Sequence, residues 1–160
     1  MMTHFKGASP IIIIGGVLLI IIGSAVLFMM STFQPKVSLY FGSGAFDAKI
    51  AYTEADRQKG YGGVTNIADN EALILVFPSN DLWRIWMKDM KVPIDIVWLN
   101  EEKKVIHIVK NASPDTGTEG TYVPKTPARY VLELAAGTVD SKAIAVGRSA
   151  IFEVNHKDVE

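Results

Sequence analysis

Four charged residues in the second half of the chain, Lys88, Asp95, Arg129 and Glu133, are of types that catalyse reactions or grip polar substrates. Asp95 and Glu133 are the candidate catalytic pair. Two carboxyl groups support glycoside hydrolysis when burial keeps one protonated while the other stays ionised at a suitable separation. Lys88 or Arg129 would then orient the substrate. The plainer alternative is a structural network of ion pairs and hydrogen bonds at strand ends, where the same residue types collect.

Three tryptophans suggest recognition instead of turnover. In a regular strand, alternation sets Trp86 and Lys88 on the face opposite Ile85 and Met87. Trp83 and Trp98 would join Trp86 in a stacking or apolar binding surface. With Lys88 and Arg129 beside it, such a surface suits an envelope glycan or another anionic ligand. The ligand-binding candidates are therefore Trp83, Trp86, Lys88 and Arg129, against the ordinary reading of tryptophan as core or rim packing.

Metal chemistry has thinner support. Met87, Met90 and His107 are soft or nitrogen ligands that suit copper if they converge, but no His-x-x-His or paired acidic loop completes the set. Met87 as a core filler and His107 as an ordinary hydrogen-bonding residue need no metal. No metal and no cofactor is expected. Gly60-Tyr61-Gly62-Gly63 lacks the Lys-Ser/Thr ending of a phosphate loop, and no Gly-x-Ser-x-Gly elbow occurs. The absence of Cys excludes disulfides, thiolate zinc sites, iron–sulfur clusters and a cysteine nucleophile.

These side chains must be positioned by a chain of 160 residues, enough for one ordinary domain. Sixteen Lys and Arg against 17 Asp and Glu leave a net charge of -1, which excludes a dominant electrostatic drive towards nucleic acid. Ile11–Met30 is a charge-free apolar run of 20 residues. A helix of that length covers roughly 30 Å, the thickness of a bilayer core. The run predicts a single transmembrane anchor over 11–30 after an N-terminal stub of 1–10. The lipid bilayer is its expected partner, with the N-terminus cytoplasmic and the remaining domain extracytoplasmic. Residues 31–45 read as a membrane-proximal connector with an edge strand at its end, 46–155 as the main domain and 156–160 as a polar tail.

Within the main domain, short Val-, Ile- and aromatic-rich runs predict strands at 48–52, 72–77, 83–87, 95–99, 104–110, 129–134 and 149–154. Asn100–Lys103 predicts a hairpin turn. Thr53 is placed to cap a helix running through Arg57–Lys59 and ending at Gly60, and Thr138 to cap one over Val139–Ala145. The expected fold is mainly β: a compact antiparallel sandwich or barrel-like domain with two short helices, preceded by the transmembrane helix. An α+β sheet with one covered face is the alternative.

The run Trp83-Arg84-Ile85-Trp86-Met87-Lys88-Asp89-Met90-Lys91-Val92-Pro93-Ile94-Asp95-Ile96-Val97-Trp98-Leu99 resembles the core of domain-of-unknown-function family 192, DUF192, a family of bacteria and archaea. Thr53–Gly60, Ala72–Pro78 and Ala128–Leu134 followed by Gly137 are similar to its helix, apolar strand and C-terminal strand with turn. The resemblance spans about Lys49–Val154. It implies a small, mainly β domain, often preceded by a signal or membrane segment, and carries no established reaction, substrate or cofactor. The chain departs from the family pattern after Gly60, where Tyr61-Gly62-Gly63-Val64 replaces Leu-Met-Phe/Tyr-Arg.

The functional expectation is a membrane-anchored extracytoplasmic binding or interaction module. The alternatives are a cell-envelope hydrolase using the carboxylate pair and a structural component of a membrane complex with a membrane-protein partner.

Overall fold

The computed structural model describes residues 21–23 and 36–160. From Lys36 onward a six-stranded sheet carries the domain. Its strands are β1 (Lys36–Phe41), β2 (Gly44–Ala51), β3 (Glu71–Asp81), β5 (Ile94–Leu99), β6 (Val105–Ala112) and β8 (Ala128–Ala135). They lie in the order β1-β2-β3-β8-β5-β6. β4 (Ile85–Trp86) and β7 (Thr121–Tyr122) form a separate two-stranded ribbon.

Neighbouring strands run antiparallel with one exception: β2 and β3 are parallel, in the register Ala48↔Ala72 and Ile50↔Ile74. This corrects the wholly antiparallel expectation. A parallel pair needs a crossover, and the chain makes it through α1 (Glu54–Lys59) and the loop after it. Thr53 caps α1 by accepting from the Asp56 N–H at 3.1 Å. Gly60 ends it with φ 50° and ψ -136°. At the second short helix, α2 (Thr138–Ser141), the cap position falls to Gly137 with φ 86°, and Thr138 lies inside the helix instead of capping it.

Both faces of the sheet are covered. One face packs Phe46, Ile50, Ile74, Val97, Leu132 and Phe152 into a core, and the other packs Leu73, Leu75, Ile96, Trp98, Val131 and Met87. Period-2 alternation within β3 and β8 explains how adjacent residues serve different cores. No strand forms over 149–154. Instead this segment bridges β1 through Tyr40↔Ile151 and meets the start of β6 through Lys104↔Ser149. It thus contacts both edges of the sheet, and the domain is barrel-like.

The transmembrane expectation is corrected. A span requires about 20 consecutive apolar residues in one helix. Among the described residues no helix is long and apolar enough to cross a membrane. Residues 21–23 are helical, and the rest of 11–30 lies outside the described residues. The bilayer partner, the single-pass extracytoplasmic placement and the membrane-anchored or membrane-complex roles all rested on that helix, and they are withdrawn with it.

Candidate functional site

A cavity of about 600 Å³ opens between α1, the sheet face formed by β3 and β8, and the β4 ribbon. Each wall comes from a different element. β3 contributes Leu75 and Phe77, the ribbon Ile85 and Trp86, and the turn after α1 Gly60 and Tyr61. Phe77 stacks on Trp83 with ring centroids 4.3 Å apart. Trp83 is held at both ends: its indole N–H donates to the Ser79 carbonyl at 3.0 Å, and its own carbonyl accepts from the Trp98 indole at 2.9 Å. Trp86 donates to the Gln58 carbonyl at 3.3 Å, fastening the ribbon to α1.

Glu133 forms the inner end. It is 4 % exposed and lines the cavity. Its Oε2 accepts the Tyr61 N–H at 3.2 Å, while Oε1 has no protein hydrogen bond among the described residues; the Tyr61 hydroxyl is buried there, also without a partner among them. Among the described residues no cation pairs with it. Burial pushes its carboxyl up to about 7, and the Tyr61 hydrogen bond only partly opposes that rise. Burial, and then the charge of Glu133, likewise raise the Tyr61 hydroxyl.

The mouth is different in character. Arg84 and Lys88 are exposed there, and the Lys88 ammonium stands 5.8 Å from the centre of the Trp86 ring. Arg57 also lines the cavity but is committed to the protein. It donates to the backbone oxygens of Tyr52, Val76 and Glu160 and packs 5.4 Å from the Phe77 ring centre. The site therefore has an apolar aromatic body, one carboxyl at its inner end and cations at its mouth. Such a cavity has the size and lining of a small-molecule site.

Residues 38–152 match DUF192, described as an uncharacterised ACR. The chain belongs to the DUF192 family. A UPF0127 protein of Thermococcus sibiricus is 31% identical over 111 residues, covering 68% of each chain. Among solved structures, a protein of unknown function from Novosphingobium aromaticivorans superposes with a TM-score of 0.67 at 26% identity, over 74% of this chain and 84% of its own. A proposed transcription regulator from Sinorhizobium meliloti gives 0.66 at 23% identity, over 75% and 94%. The latter likeness shows the fold alone.

In this DUF192 domain the residues singled out from sequence divide sharply. Trp83, Trp86 and Lys88 line the cavity together with Glu133. Arg129 does not; its guanidinium contacts His156 Nδ1 at 3.3 Å in the C-terminal segment. Trp98 is fully buried behind Trp83. Asp95 and Glu133 are not a pair. Asp95 is opposite Leu134 and Glu133 opposite Ile96 in the β5–β8 register, so their side chains leave opposite faces of the sheet. Asp95 is fully buried, with Oδ1 accepting from the Asn111 N–H at 2.9 Å and Oδ2 from the Val139 N–H at 2.8 Å. It ties β6 and α2 to β5, and the two-carboxylate hydrolase is not assembled.

The copper candidates also separate. Met87 is core, Met90 reaches the cavity, and His107 packs on Trp98 with centroids 5.2 Å apart, outside the cavity lining. Burial, and then Lys125, lower the His107 pKa. Among the described residues no group of three or more His, Asp or Glu is placed to hold a metal ion.

Sequence reasoning missed Arg57, Phe77 and Arg84 as site residues. From sequence Gly60 reads only as a helix end and Tyr61 only as part of a departure from the family pattern. That departure was the available signal, because Gly60 and Tyr61 lie against Glu133.

Proposed function

We propose that this DUF192 domain is a small-molecule-binding domain whose ligand inserts a flat apolar body between α1 and the sheet. The observation that carries the reading is the aromatic cavity itself: Phe77 and Trp83 stack along one wall, and half-exposed Trp86 stands on the ribbon beside it. Flat rings gain both apolar burial and offset stacking in such a space. The cavity volume falls within the range of small-ligand sites. Hydrogen bonds from each indole to backbone carbonyls hold the walls in place without a ligand, which reduces the ordering cost of binding.

Binding of naphthalene-sized compounds to the full chain, followed by tryptophan fluorescence and calorimetry, tests this reading. Saturable binding that weakens at least tenfold in Trp86→Ala, with the fold intact by circular dichroism, is the expected result. Failure of every such compound to bind, or equal affinity in the variant, would remove the cavity as the functional site.

A further inference from the structure

The two ends of the cavity differ in the polar groups they offer, and that difference restricts the ligand. Glu133 at the inner end presents one oxygen without a hydrogen bond among the described residues, since the Tyr61 N–H engages only Oε2, and the Tyr61 hydroxyl, which belongs to the same lining, is buried without a partner among them. The nearby walls, Leu75, Phe77 and Ile85, supply no side-chain hydrogen-bonding group. The mouth carries the exposed cations Arg84 and Lys88. We propose that the ligand is a hydroxyaryl acid, its hydroxyl hydrogen-bonded to Glu133 Oε1 and its acid group facing Lys88 and Arg84. This inference rests on the small-molecule reading above and names the chemical class.

The hydrogen-bonding capacity of the inner end decides between polar groups. A hydroxyl brings one hydrogen and an acceptor oxygen, and a single carboxyl oxygen meets it in either protonation state. The neutral carboxyl donates to the hydroxyl oxygen, and the ionised one accepts its hydrogen. An aromatic amine, uncharged near neutral pH, brings two N–H groups to the single free oxygen of Glu133 and only a weakly accepting nitrogen for the neutral carboxyl's proton. A sugar ring would strand several hydroxyls against the apolar walls. An unsubstituted ring would leave the carboxyl desolvated and without a partner. At the mouth, an acid remains close to water and gains from two cations without full desolvation.

Four probes separate these features: 2-naphthoate, 6-hydroxy-2-naphthoate, 6-amino-2-naphthoate and 2-naphthol. Dissociation constants are measured by calorimetry on the full chain. The hydroxy acid is expected to bind about tenfold tighter than 2-naphthoate, the worth of one hydrogen bond that leaves no buried partner unmet. In Glu133→Leu that preference should fall to within about twofold. Lys88→Ala combined with Arg84→Ala should weaken both acids several-fold and leave 2-naphthol unchanged.

Equal affinity of the hydroxy and parent acids in the unmodified protein overturns the assignment of Glu133, and tighter binding of the amine overturns the hydroxyl class. Unchanged acid affinity in the double variant overturns the assignment at the mouth. Failure of all four probes instead overturns the underlying cavity reading. The comparison within the unmodified protein decides the hydroxyl question even if Glu133→Leu does not fold.

Discussion

Gly60 lies so close to Glu133 that a Cβ at this position would stand 3.0 Å from Oε2 and 3.1 Å from Oε1. The turn that ends α1 is thus in direct contact with the carboxyl at the centre of the sheet, and the next residue donates its N–H to it. Helix, turn and carboxyl behave as one unit, and the inner end of the cavity is shaped by backbone as much as by side chains.

Gly60→Ala should therefore be costly twice over. Its φ of 50° with ψ of -136° is a conformation that side-chain-bearing residues avoid, and the added methyl presses on Glu133. A loss of roughly 1–3 kcal/mol is expected. Urea unfolding at neutral pH measures it, and a change below about 0.5 kcal/mol would contradict the packing described.

Glu133 should make stability depend on pH in the direction opposite to that of a salt-bridged acid. Burial raises its folded value from 4.5 to about 7, so between these values the folded state holds a proton that the unfolded chain has released. The sign follows: stability from this group is greatest below 4.5, falls as pH rises through the window, and levels above about 7. The fall amounts to roughly 3 kcal/mol. Glu133→Gln cannot ionise, so its loss of stability between pH 4.5 and 8 should be smaller by about that amount. Parallel denaturation curves for the two proteins would disprove the linkage.

Asp95→Asn should destabilise the fold without touching the ligand site. Both carboxylate oxygens accept backbone N–H groups, from Asn111 and Val139, and an amide offers only one oxygen. One buried N–H would then face a donor, at a cost of about 2–4 kcal/mol. Affinity for 6-hydroxy-2-naphthoate should stay within twofold at a temperature where the variant is folded. A larger loss would couple Asp95 to the cavity across the sheet.

The tryptophans should divide the same way. Trp98 is fully buried and holds the Trp83 carbonyl, so Trp98→Phe should cost roughly 1–3 kcal/mol. Trp86 is 37 % exposed, and its replacement by Ala should cost about 1 kcal/mol while removing most naphthoate binding. Thermal unfolding and calorimetry on the same two variants check both halves.

Much of the sheet can be read from local pattern. The apolar runs at 72–77, 95–99 and 129–134 fall within β3, β5 and β8, because buried strands need continuous apolar residues between turn formers. Thr53 and Gly60 mark the ends of α1 for equally local reasons. Pairing is not local. Nothing near Asp95 or Glu133 reveals that Ile96, and not Asp95, is opposite Glu133, and that single step of register separates the two carboxyls. The parallel β2–β3 pair was hidden likewise, because α1 is too short to suggest a crossover. At the site, Trp83, Trp86 and Lys88 share one stretch of chain and could be grouped by proximity. Arg57 and Tyr61 arrive from another element, and Arg129 looks functional in sequence but turns to His156.

The position of β8 between β3 and β5 has a consequence for biosynthesis. The strand that joins the two halves of the sheet leaves the ribosome after every other described strand. Until Ala128–Ala135 emerges, β1–β3 and β5–β6 can form only as separate pieces, each with an open apolar edge. A nascent or truncated chain ending before Ala128 should therefore be a target for chaperones, with cooperative folding deferred until this strand is available.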